Sequence, residues 1–199
     1  MIPLFVEGVR SSVLACSFAL LAPAVVLALL SGRRLRFALS VYALGVAVAA
    51  AARFGVVEAA PFNLGRAEMG TTMFVLGLAV AWLKRSEPWG PGVGAAALAV
   101  SSAWWWQPCV GLHFGATLNR LPTEWVAASP DAIVYATGVV LPVWAAVAAV
   151  ATWPKIAHWL NHRVALWSGL GVGVLMAAAM LIGRYSSLLG TLFRLSNNT

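Results

Sequence analysis

The chain has 199 residues, 61% of them hydrophobic and only 10% charged, with a formal net charge of +7. Apolar runs near bilayer length recur along it, which excludes a soluble enzyme domain and predicts an integral membrane protein. The basic residues stand singly between those runs, so the positive charge fits lipid and topology and excludes a nucleic-acid surface.

Six spans are expected in chain order: Val9–Leu30, Leu35–Val57, Met69–Leu83, Val93–Leu118, Ala132–Trp153 and Val164–Gly183. The third is short for a bilayer crossing and calls for local thinning or extension into its flanks. Only Arg10 precedes the first apolar stretch, while Arg33, Arg34 and Arg36 follow it. That is the reverse of a secretory signal's charge bias, so the stretch reads as a retained span. Loops one–two, three–four and five–six hold Arg33, Arg34, Arg36, Lys84, Arg85, Lys155 and Arg163 close to span ends. This bias makes those loops cytoplasmic and both termini outward-facing. The longer loops Glu58–Glu68 and Asn119–Asp131 carry Pro61, Pro122 and Pro130 and fall on the outer side. Lys155–Arg163 reads as an interfacial connector, and the tail after Arg184 as a short interfacial helix.

Two cysteines, Cys16 and Cys109, lie inside apolar runs. At 1.5 Å per residue, Cys16 is about 10 Å into the first span and Cys109 about 13 Å from the end of the fourth. The depths match because the two spans run in opposite directions. A disulfide needs Cα atoms within about 7 Å, which such a match permits. Two three-span halves of opposite direction, residues 1–90 and 91–199, form the layout of an inverted-repeat transporter within a single transmembrane domain. The competing reading is packing, since free cysteine is among the most buried residue types.

Pro108 distinguishes the second cysteine. A proline breaks the helix before it and is tolerated as the first residue of a new one. A half-helix starting there would turn free N–H groups and a positive dipole end toward Cys109, favouring thiolate. Gly111 and Gly115 leave room for a neighbouring backbone. His113, one turn beyond, is a candidate for proton transfer; two metal-ligand types without further partners do not make a metal site. Pro23 and Pro142 loosen spans one and five, and Gly169 and Gly173 form a small-residue pair in span six. The run Trp104-Trp105-Trp106 precedes the cysteine within a span, which predicts that at least one ring packs at the thiol site.

The stretch Trp106-Gln107-Pro108-Cys109-Val110-Gly111, continuing to Gly115-Ala116 and Leu118, resembles the W-x-P-C-x-G…G-A-x-L motif of the CcdA/DsbD transmembrane thiol–disulfide transporters. Leu35 to Gly55, Val139 to Pro142, and Ser168-Gly169 through Gly183-Arg184-Tyr185 resemble softer parts of that family. Ala15 stands before Cys16 where the family usually has proline. The resemblance is to the short CcdA form, without soluble redox domains. It implies a carrier of reducing equivalents in the cytoplasmic membrane, with Cys16 and Cys109 as the redox pair. Cytoplasmic thioredoxin would reduce their disulfide, and the dithiol would reduce an extracytoplasmic thioredoxin-like protein, often one serving cytochrome c maturation. No cofactor is implied. The other classes left open are a small-solute or ion transporter with incidental cysteines, a quinone-linked disulfide-forming enzyme, and a purely structural subunit.

Overall fold

The computed structural model describes residues 1–12, 18–53, 66–106, 112–120, 123–152, 163–185, 187 and 191. Among these the secondary structure is all α-helical, without strands. The helices are α1 (Ile2–Ser12), α2 (Phe18–Ser31), α3 (Leu35–Ala52), α4 (Arg66–Leu83), α5 (Gly90–Trp105), α6 (Leu112–Arg120), α7 (Trp125–Val139), α8 (Leu141–Thr152) and α9 (Arg163–Leu181). A single 3-10 turn, Gly32–Arg34, joins α2 to α3, with Gly32 at a φ of +50° that side chains rarely adopt.

Small residues set how the helices meet. Gly77 lies against Leu98, and Gly94 against Ala81, so α4 and α5 pack antiparallel with their backbones close. Gly45 meets Ala99, and Gly92 meets Phe37, which runs α3 alongside α5 in the same direction. Gly169 sits on Leu29, and Gly173 on Leu78 and Val26, seating α9 antiparallel to both α2 and α4. Trp82 and Trp167 extend that contact with ring centroids 5.3 Å apart. Leu20, Leu27, Tyr42, Phe74, Leu98 and Tyr135 are among the buried centre, so residues from both halves of the chain share one core. Outside, Val25, Leu44, Val48, Leu76, Trp167 and Leu175 are exposed. Apolar side chains thus stand on the outside of the bundle as well as in its core.

Two turns meet at one end of the bundle. Arg34 in the α2–α3 turn donates to the carbonyl of Glu87 in the α4–α5 turn at 2.9 Å. Within the second turn Lys84 pairs with Glu87 at 2.8 Å, and that hydrogen bond holds the Glu87 carboxyl below its ordinary range.

The helices depart from the expected spans in several places. α9 is the one described helix that by length and apolarity alone could cross a bilayer, and α7 with α8 qualifies as a pair bent by 50°. The fourth span is interrupted. α5 stops at Trp105, and Trp106 is extended at φ −69° and ψ 127°. A helix continuing through Pro108 would lack a backbone N–H and set the proline ring against the Trp104 carbonyl. Pro142 acts similarly in the fifth span, where it falls in the first turn of α8, just after the bend at Val140. Pro23, by contrast, lies within α2, which runs unbroken through it. The loop expected over Asn119–Asp131 is shorter than that, because α7 begins at Trp125 and contains Pro130 on its exposed side. Arg66 to Glu68 likewise belong to the first turn of α4.

The first span departs most. α1 begins at Ile2 and packs on α7 in the opposite direction, with Gly8 beside Gly138 and Ser11 beside Tyr135. α6 also runs against α7, from Phe114 at Tyr135 to Arg120 at Asp131. α1 and α6 therefore point the same way across their contacts, whereas α2 and α5 point opposite ways. Val9–Leu30 and Val93–Leu118 are consequently not two straight antiparallel spans. A Cβ on Gly8 would collide with the Tyr135 carbonyl, and one on Gly138 would meet the Phe5 carbonyl at 2.5 Å. Gly8→Val is expected to separate α1 from α7 and lower the melting temperature in detergent, while Gly171→Ala, with open space around it, leaves it unchanged.

Candidate functional site

Cys16, Pro108, Cys109 and Gly111 lie outside the described residues. What the structure describes is the chain on either side of each cysteine, and those flanks converge on two tyrosines.

The first is Tyr135 on α7. Its ring stacks on Phe114 at the start of α6 with centroids 3.7 Å apart and planes 7° from parallel. Trp106, at the end of α5, stacks on it at 5.9 Å and 17°. Its hydroxyl is 2.8 Å from Oγ of Ser11, near the end of α1. Tyr135 thus touches the residues on both sides of the Cys109 segment and the last turn before the Cys16 segment. All three aromatic rings are fully or almost fully buried.

The second is Tyr42 on α3. Its hydroxyl donates to the carbonyl of Leu20 at 2.5 Å and lies 2.7 Å from Ser102 Oγ. Ser102 Oγ is in turn 2.7 Å from the Leu98 carbonyl. Leu20 is in the first turns of α2, just after the Cys16 segment, and Ser102 is in the last turn of α5, just before the Cys109 segment. A buried hydroxyl without a partner costs about 1–3 kcal/mol, so this network specifies which helix turns face each other.

Two charged groups complete the site. Glu7 on α1 accepts the backbone N–H of His113 at 3.2 Å and lies 3.3 Å from its Nδ1. It satisfies a donor in the first described turn of α6, where helix N–H groups lack internal partners. Its other oxygen, Oε1, is buried with no hydrogen-bond partner among the described residues. Arg53, at the end of α3, is 5% exposed. Its Nη1 donates to the carbonyls of Ala103 at 2.6 Å and Trp106 at 2.5 Å, at the C-terminal end of α5.

Of the remaining residues expected at the site, Gly115 lies half-buried on α6 and Pro23 is buried on α2. The His113 side chain is 56% exposed and pairs with Glu7. Of the tryptophan run, Trp106 stacks on Tyr135 and Trp105 meets Tyr185 edge-on at 5.1 Å; whether a ring packs on a thiol lies outside the described residues. Among the described residues, no three His, Cys, Asp or Glu side chains gather as metal ligands. Glu7, Ser11, Tyr42, Ser102 and Tyr135 carried no signal in the sequence, because each is a single residue whose partner is distant in the chain. Arg53 carried one, an arginine within a predicted span.

Chemically, the arrangement holds together the chain ends on both sides of two cysteines, beside a buried cation and a carboxylate–imidazole pair. No protein-family model, no curated protein and no solved structure matches the chain.

Proposed function

We propose that this protein is a cytoplasmic-membrane carrier of reducing equivalents that works by a reversible Cys16–Cys109 disulfide. The observation that carries the reading is the convergence of all four flanks of the cysteine segments on Tyr135 and Tyr42. The interruption of α5 at Trp106 supports a discontinuous helix beside Cys109. The apolar exterior supports a lipid surround, with the six apolar runs crossing as two three-span halves and α1 laid against α7.

In the proposed cycle, a thiolate of cytoplasmic thioredoxin attacks one sulfur of the disulfide and displaces the other as thiolate. The second thioredoxin thiolate resolves the mixed disulfide. Thioredoxin leaves oxidised, and Cys16 and Cys109 together hold two electrons and take up two protons. The same exchange, run toward the other face, reduces the disulfide of an extracytoplasmic thioredoxin-like protein, such as one serving cytochrome c maturation. The resemblance around Pro108 and Cys109 to the CcdA/DsbD transporters supports this choice of partners, and the chemistry itself needs no cofactor.

The test is covalent trapping. A thioredoxin lacking its resolving cysteine is incubated with the oxidised protein in membranes, using wild type and the double cysteine-to-serine variant. A dithiothreitol-sensitive adduct with wild type, lost when both cysteines are replaced, is the expected result. Absence of any adduct, with solute transport intact in the double variant, would favour a transporter with incidental cysteines.

A further inference from the structure

Resting only on the membrane setting of that reading, we propose that the two turns joined by Arg34 and Glu87 form a binding site for the headgroup of an anionic phospholipid. The tertiary structure brings together basic residues that are distant in the chain. Arg34, in the turn between α2 and α3, donates to the Glu87 carbonyl, in the turn between α4 and α5, at 2.9 Å. Arg36 follows the first of these residues closely and Arg85 precedes the second, and both are exposed. Neither forms an ion pair among the described residues. Lys84 and Glu87 neutralise each other at 2.8 Å. The positive charges of Arg34, Arg36 and Arg85 remain in excess at the junction.

Apolar side chains stand among these cations. Phe37 is 53% exposed, Trp89 46% and Leu83 72%. Phe37 on α3 lies against Gly92, in the first turn of α5 beyond Trp89, so both rings belong to this end of the bundle. Lys84 stands 5.9 Å from the centre of the Trp89 ring, a cation over an aromatic face. This interleaving decides the partner. An acidic protein arriving from water would satisfy the arginines and leave Phe37, Leu83 and Trp89 unmatched. A phospholipid meets both sets. Its phosphate oxygens accept from the guanidinium forks, and its glycerol and upper acyl chains cover the apolar side chains. Basic side chains gathered at helix ends hold anionic headgroups in this way, each contributing about a fivefold gain in affinity. A headgroup with two phosphates can engage both turns at once, whereas a zwitterionic one brings no net charge to the excess.

The experiment titrates the full chain in detergent with diphosphatidylglycerol and with phosphatidylcholine and counts bound lipid by native mass spectrometry. Wild type is expected to hold diphosphatidylglycerol the more tightly, with an affinity that falls as salt rises. Arg36→Gln combined with Arg85→Gln is expected to lower that affinity about twenty-five-fold. Arg36→Lys with Arg85→Lys keeps the charge and is expected to keep most of the binding. Arg184→Gln, past the far end of α9, is expected to change it little. All of these side chains are exposed, so the variants are expected to melt as wild type does. Equal affinity of wild type for the two lipids overturns the proposal. A loss with Arg184→Gln as large as with the double glutamine variant also overturns it, because net charge alone then explains binding. Displacement of the lipid by equimolar polyglutamate assigns the junction to an acidic protein partner and overturns it as well. Pure phosphatidylcholine vesicles separate the two levels of the argument. Release of wild type from them by alkaline carbonate overturns the membrane setting itself, whereas firm retention without lipid preference overturns the headgroup site alone.

Discussion

Cys16→Ser and Cys109→Ser are each expected to reduce thiol–disulfide transfer across the membrane to background, with no change in expression or melting temperature. A single remaining thiol can form a mixed disulfide with a partner but cannot resolve it, so the carrier is held after one step. The loss is therefore complete rather than graded. Reconstitution in vesicles enclosing an oxidised thioredoxin-like reporter, with reduced thioredoxin outside, measures it directly. Normal reporter reduction by either single variant excludes the exchange scheme. The alternatives predict otherwise. Incidental cysteines predict full activity in the double variant, and a structural subunit predicts no redox-dependent behaviour in any of them.

Tyr135→Ala is expected to have the largest effect on the fold. It removes a ring packed face-on against both Trp106 and Phe114, together with the hydroxyl that meets Ser11. Deleting a large buried aromatic costs about 3–5 kcal/mol. Phe114 and Trp106 also lose the stacking that fixes their positions on either side of the Cys109 segment. Tyr135→Phe keeps the rings and removes only the hydroxyl, for about 1 kcal/mol. Thermal unfolding in detergent should rank the two variants in that order. If the site is held as proposed, Tyr135→Ala slows transfer at temperatures where it is still folded, whereas Tyr135→Phe changes transfer far less. Equal melting temperatures for Tyr135→Ala and wild type would show that the stack bears no load.

Much of the architecture could be read along the chain. Helical class followed from apolar runs with few breaks. α3 starts at Leu35 and α9 at Arg163, next to the basic residues that ended the preceding loops. Pro108 and Pro142 marked an interruption and a bend, because a missing N–H acts locally wherever it occurs. Pro23 and Pro130 show the limit of that rule. Each forfeits one hydrogen bond, and the surrounding helix tolerates it. The cysteines and the Pro108 motif named a candidate chemistry from the sequence. The flanking network was not legible: nothing in the sequence links Ser11 to Tyr135, 124 positions away, or Tyr42 to Ser102, 60 positions away.

Residue type and local order thus determined which segments are helical, where proline interrupts them and where the two thiols stand in the chain. Those properties depend on backbone sterics and on hydrophobic runs that act over a few turns. Only the tertiary structure decided that α1 runs against α7, that Tyr135 and Tyr42 gather the chain around both cysteine segments, and that Arg53 reaches the end of α5. Those contacts depend on which small residues let backbones approach and on which buried polar groups must find one another. Neither condition can be evaluated until distant parts of the chain are brought into contact.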